Sequence, residues 1–215
     1  MTINTNWYTM DNKVGVDLNN VITSVDSTTA PNPDVPAAPH NLGDRVQGND
    51  GSEWLFVRAS ATVSAFNVIA VNSNFRAINM TTALMASNLY HPAIAQFQPR
   101  GGVTYGNASG GVANTDDFFW ALVKCAQNAR VNIAVSATVA PGAALYISGA
   151  SPGHVTTSAG TSAAPGGGRI NGMFPVASVD GTSITAGVGS VEVGMFSYIL
   201  PGVLVSVLPL TPGTT

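Results

Sequence analysis

Few residues in this chain have the types and spacing that chemistry requires. Asp116-Asp117 is the one adjacent pair of carboxylates. On a strand, neighbouring side chains point to opposite faces, so the two cannot share an acid–base site there; a cap or a solvated turn is the expected role. His40, His91 and His154 lie far apart, and none is two to five residues from another ligand of metal-motif type. Cys125 is the only cysteine, which excludes an intrachain disulfide and a cysteine-based zinc cluster. No His or helix N-terminus supports it as a reactive thiol, so it is expected to be a small buried apolar residue. Glu53 and Glu192 are the only glutamates, too few carboxylates for a typical glycosidase cleft. Asp44, Asp50 and Glu53 lack the acidic spacing of a calcium loop. Gly166-Gly167-Gly168-Arg169 has no following Gly-Lys-Ser/Thr, so it is not a phosphate loop, and no Gly-x-Ser-x-Gly elbow is present. The sequence therefore predicts no catalytic residues, no cofactor and no metal.

Composition points to the same class. Of 215 residues, 45% are hydrophobic but only 9% are charged, against roughly 25% in ordinary soluble domains. Polarity comes from Ser, Thr, Asn and Gly, a surface suited to packing within an assembly. Net charge is −3 and the eight basic residues are scattered, so nucleic-acid binding is not expected. The N-terminal residues lack a basic region and an apolar core of the secretory kind. The uncharged stretch Val193–Leu210 is near the lower length limit for a membrane span and is broken by Pro201-Gly202. It reads instead as two short buried strands, and no membrane partner is expected.

The elements that would position these residues are nearly all strands. Residues 1–41 read as an extended, Pro-rich N-terminal arm, with four prolines in Ala30–Pro39. Its apolar residues, Trp7, Tyr8 and Met10 among them, are candidate partner contacts, with the arm ordering against a neighbouring subunit. Residues 42–215 read as a β-sandwich or β-barrel of short antiparallel strands. Asn49-Asp50-Gly51 predicts a hairpin leading into Glu53–Arg58. Asn72-Ser73-Asn74 predicts a turn between strands Ala65–Val71 and Phe75–Met80. Thr81–Tyr90 reads as a short helix capped by Thr81 or Thr82, with Leu84, Met85 and Leu89 as its apolar side. Ala93–Phe97 is a strand, and Arg100–Asn114 a Gly-rich loop whose one large side chain, Tyr105, is a further candidate contact. The central stretch reads as three strands, Phe118–Lys124, Arg130–Ser136 and Ala143–Ser148, joined by turns. The alternation of Val131, Ile133 and Val135 with polar or small residues is clean. His154–Thr157, Ile170–Val179, with an edge or bulge at Pro175, Ser183–Thr185 and Val191–Val193 complete the set.

In order, LGDRVQGNDGSEWLFVRASATV, AIAQF, FFWALVKCAQNARVNIAVSATVAPGAALYIS, GHVTTSA and GGRINGMFPVAS resemble the small decoration, or cement, proteins on the heads of tailed bacteriophages. The resemblance covers about residues 42–178 and rests most on WALVK, RVNIAVS and PGAALYIS…GHVTT. It implies a structural, non-enzymatic virion protein on the outer capsid surface. The implied partner is the major capsid protein, with the chain itself a trimer or dimer on the shell. The Pro-rich arm, the Arg100–Asn114 loop and the apolar C-terminal segment depart from that pattern. Two other classes share the composition: a fibre, tail or adhesin-type protein, and a carbohydrate-binding module using Trp54, Trp120 or Tyr105 as a stacking platform. Deletion of the residues before Leu42 is expected to leave the β-domain folded and to weaken attachment to the partner.

Overall fold

The computed structural model describes residues 18, 21–22, 40–48, 50–87, 89–97, 111–134, 137–157, 168–176, 178 and 189–195. In chain order the strands are β1 (Val21–Ile22), β2 (Arg45–Gln47), β3 (Glu53–Ala59), β4 (Val63–Ser64), β5 (Val68–Val71) and β6 (Arg76–Asn79). One short helix, α1 (Thr82–Ala86), follows. Then come β7 (His91–Ile94), β8 (Val112–Ala113), β9 (Phe118–Ile133), β10 (Tyr146–Ile147), β11 (Val155–Thr156), β12 (Met173–Pro175) and β13 (Gly189–Met195). The fold is all-β, as the sequence predicts.

Five strands close on themselves. β9 runs antiparallel to β3, with Phe56 opposite Trp120 and Val57 opposite Phe119. β3 pairs in parallel with β6 through Arg58–Arg76 and Ala59–Ala77. β6 pairs with β5, β5 with β7, and β7 returns to β9 through Ile94 and Leu122, all antiparallel. Closure leaves these five strands without a free edge. β2 extends the sheet as a hairpin partner of β3. β4 and β8 form a separate two-stranded pair.

A barrel wall facing water on its outside would show one buried and one wet face. Here both faces are covered. Trp54, Phe56, Val68, Ala70, Ile94, Trp120 and Leu122 belong to one buried cluster. Their alternating neighbours Leu55, Val57, Ile69, Val71, Ala93, Phe119 and Ala121 belong to a second. The strands accordingly read as continuous apolar runs rather than as alternating ones.

The local signals hold at the turns. In the β2–β3 hairpin, the Gly51 N–H donates to the Gly48 carbonyl at 3.1 Å and the Gly48 N–H to the Ser52 carbonyl at 2.8 Å. Asn72 Oδ1 accepts from the Asn74 and Arg76 amides at 2.9 and 3.0 Å, closing the β5–β6 turn. Thr81 caps α1, its hydroxyl accepting from the Leu84 N–H at 3.2 Å. The helix is shorter than predicted, and Leu89 lies beyond it, 73% exposed, while Leu84 and Met85 pack on the core. Pro175 sits on β12, which pairs with β13 alone among the described strands.

Two expectations need correction. The predicted turn between Lys124 and Arg130 does not reverse the chain: residues 118–133 are one strand of 16 residues. Polar residues at its middle imitate a turn in the sequence, but β13 pairs across this region, from Gly189 opposite Ile133 to Met195 opposite Cys125. A register irregularity between Val193 and Met195 absorbs the mismatch. The third predicted strand of that stretch shrinks to Tyr146–Ile147. Secondly, the N-terminal segment is not wholly separate from the body. Leu18 and Val21 are buried within the two core clusters, and β1 pairs antiparallel with the start of β9. Removing residues before Leu42 thus removes part of the core, and such a chain is expected to be destabilised as well as altered in attachment.

Candidate functional site

The charged side chains of the barrel gather into two groups on β3. At its start, Glu53 takes Lys124 Nζ at 2.8 Å and Arg45 Nη1 at 3.9 Å. At its end, Asp116 takes Arg58 Nη2 at 2.7 Å and Arg76 Nη1 at 3.2 Å. Five residue steps separate Glu53 from Arg58, about 17 Å along an extended strand. Each group holds two bases and one carboxylate, and all the members are partly exposed.

The second group is the more constrained. Arg58 and Arg76 are directly opposed across the parallel β3–β6 pair. Two cations facing one another there repel, and Asp116 between them relieves the repulsion. Asp116 adopts φ 73°, a left-handed conformation that Asp tolerates better than most residues. Arg58 also lies over the Phe118 ring, 5.5 Å from its centroid, and its buried Nε has no hydrogen-bond partner among the described residues. Asp117 turns the other way and is 3% exposed, its Oδ2 accepting from the Asn114 N–H at 2.7 Å. The adjacent carboxylates thus do separate work, one in an ion cluster and the other in a buried turn.

The histidines do not converge. His40 stands edge-on to Phe56 and Trp120, with centroids 5.2 and 5.1 Å away. His91 is buried on β7, opposite Val71. Burial, and then the charge of Arg45, hold its imidazole below the ordinary 6.5. His154 Nδ1 lies 3.3 Å from the Ile133 carbonyl. Cys125 is buried and in no disulfide, and its Sγ lies 3.6 Å from the Val193 carbonyl. Among the described residues, no group of three or more His, Cys, Asp or Glu could hold a metal ion. Asp44 and Asp50 each accept a local backbone N–H, from Asn41 and Ser52.

Trp54 and Trp120 are 0% and 1% exposed. Trp54 Nε1 donates to Ser52 Oγ at 2.7 Å. Both rings are core, and neither offers a face to a glycan. Trp7, Tyr8, Met10 and Tyr105, the candidate partner contacts, lie outside the described residues.

One arrangement escapes sequence reasoning. Asn67, 2% exposed, donates from Nδ2 to Asn79 Oδ1 at 3.0 Å and accepts from Asn132 Nδ2 at 2.8 Å. Asn132 Nδ2 also reaches the Ala65 carbonyl at 2.8 Å, and Asn79 Nδ2 the Thr62 carbonyl at 3.1 Å. The Pro152-Gly153 turn packs onto this chain of amides. Gly153 has φ 81°, and a Cβ there would come within 2.8 Å of three Asn67 atoms. Its backbone bonds to Val68 and Met80 at 2.8 and 2.7 Å. Asparagine in a sequence signals turns and surface, so an amide triad drawn from β6, β9 and the approach to β5, with Asn67 buried and Asn79 and Asn132 half-buried, leaves no local signal.

No family model matches the chain, and neither a curated protein nor a solved structure is significantly similar to it.

Proposed function

We propose that the protein decorates the outer surface of an assembled phage head, bridging major capsid subunits and stabilising the shell. The observation that carries this reading joins sequence to fold. The three stretches on which the resemblance most depends are WALVK and RVNIAVS, which fall mainly on β9, and the PGAALYIS…GHVTT pair, which includes β10 and β11. These strands are neighbours in one sheet, β11 lying between β10 and β9. The shared pattern therefore maps to one contiguous unit instead of scattered turns.

The surface supports the same reading. Four of the eight basic residues, Arg45, Arg58, Arg76 and Lys124, are engaged in local ion clusters. That leaves a low-charge exterior, which is inexpensive to desolvate against a protein lattice. A partner that binds only the assembled shell stabilises that state by its differential affinity and needs no catalytic group.

Co-sedimentation of the purified protein with empty phage shells tests the proposal, with solution mass measured by light scattering. Saturable binding at a fixed ratio to the shell protein is expected. Absence of binding, together with a stable elongated oligomer in solution, would overturn it in favour of a fibre or adhesin-type protein.

A further inference from the structure

Arg58 and Arg76 face one another across the parallel β3–β6 pair, an arrangement that by itself disfavours the sheet. One carboxylate oxygen serves both. Asp116 Oδ1 lies 2.7 Å from Arg58 Nη2 and 3.2 Å from Arg76 Nη1. The three side chains together carry a net charge of +1. Each guanidinium fork has more N–H donors than these contacts use, one nitrogen of each being engaged. Both arginines are partly exposed, so the rest of the pair borders solvent. Arg58 Nε, buried beside the Phe118 ring, has no hydrogen-bond partner among the described residues. An ion cluster internal to a fold is best served by balanced charge and satisfied donors, and this one has neither.

We propose that Arg58 and Arg76 form a binding site for a second carboxylate, supplied by an acidic side chain of a protein partner. Charge selects this ligand. A carboxylate brings the cluster to neutrality, whereas a phosphate monoester, at about −1.5 to −2, overshoots it beside Asp116. A nucleic-acid backbone calls for a run of cations, and the eight basic residues of this chain are scattered. A guanidinium plane matches a carboxylate edge through parallel N–H···O bonds. The Phe118 ring against Arg58, and Asp116 between the two arginines, hold the forks in place before a ligand arrives. That lowers the ordering cost of binding. The inference does not depend on shell binding, and its test involves no shell.

The isotope-labelled full chain is titrated with sodium acetate, against sodium chloride at the same ionic strength, and the arginine Nε–H resonances are followed by NMR. Saturable shifts are expected at Arg58 and Arg76, with a dissociation constant of about 10–100 mM, the range for one charge-assisted contact. Arg45, in the ion group at the other end of β3, should shift no more than in chloride. Asp116→Asn keeps a residue that tolerates φ 73° and removes the competing charge. Acetate should then bind about 5-fold tighter, the effect of one unit charge some 4 Å away in water. Arg76→Gln should abolish saturation in a chain whose amide spectrum is otherwise unchanged. Absence of saturation in the unaltered protein, equal shifts at Arg45, or unchanged affinity in Asp116→Asn would overturn the proposal. Saturation by inorganic phosphate but not by acetate would overturn the choice of ligand.

Discussion

Residues 118–124 and 129–133 belong to one strand, β9, but different forces hold the two ends. The first end is aromatic and close-packed. Phe56 lies 5.1 Å from Trp120 and stacks on Phe118 at 5.7 Å, and Phe97 meets Phe119 edge-on at 5.2 Å. Its partners are the barrel strands β3 and β7, together with β1. The second end buries smaller residues, Ala129, Val131 and Ile133, between β11 and β13. There Asn132 and the amide chain through Asn67 and Asn79 fix the position of the neighbouring turn. Apolar packing is large and non-directional, whereas hydrogen bonds are smaller and geometric. The contrast implies that the aromatic end sets stability and the amide end sets register.

The strongest blow to the aromatic end is Trp120→Ala. Loss of so large a buried ring is expected to cost about 3–5 kcal/mol, read as a lower denaturation midpoint in urea. A cost under about 1 kcal/mol would mean that the barrel is not the stabilising unit. Next is Asn67→Ala at the amide end. It removes the hydrogen bonds of the buried Asn67 to the half-buried Asn132 and Asn79, at about 1–2 kcal/mol. Its distinguishing mark is spatial: amide hydrogen exchange should quicken around Gly153, Val155 and Met80 before it quickens in β3. Uniform quickening would erase the distinction between the two ends.

Smaller effects are expected at the rim. Asp116→Ala frees Arg58 and Arg76 to repel, but all three are partly exposed, so a loss of about 0.5–1 kcal/mol is expected, shrinking in high salt. An equal loss at all salt concentrations would point instead to the backbone turn at φ 73°. The smallest effect comes from His91. Its imidazole takes up a proton less readily in the folded chain than in the unfolded one. Above the ordinary value of 6.5 both states are neutral, and this residue gives no pH dependence. Below it the unfolded chain gains a proton that the folded chain resists, so stability falls with falling pH. His91→Gln should flatten that slope, and an unchanged slope would assign the acid sensitivity elsewhere.

The sequence is most legible where structure is local. Asn49-Asp50-Gly51, Asn72-Ser73-Asn74 and the Thr81 cap act within a few residues, and their side chains announce the turn they make. It is least legible where partners are distant. The unbroken run of β9 depends on β13, some 60 residues further on, and barrel closure depends on the parallel pairing of Arg58 with Arg76. Leu18 and Val21 look like an arm because their cluster partners are supplied by strands much later in the chain. Of the candidate site, a turn role for Asp116 and Asp117 is legible in the sequence, but their separation is set by the left-handed turn at Asp116, φ 73°, just before β9 begins. The two-arginine clamp on Asp116 is not legible, because it needs three elements brought together.

The central claim is that the protein stabilises an assembled shell by binding it. Its most direct test is the disruption temperature of empty phage shells, measured by calorimetry with and without saturating protein. The account predicts a rise that saturates with occupancy, since a partner present at about 100 times its dissociation constant adds roughly 2.7 kcal/mol per site to the state it binds. An unchanged disruption temperature with the protein demonstrably bound would contradict it.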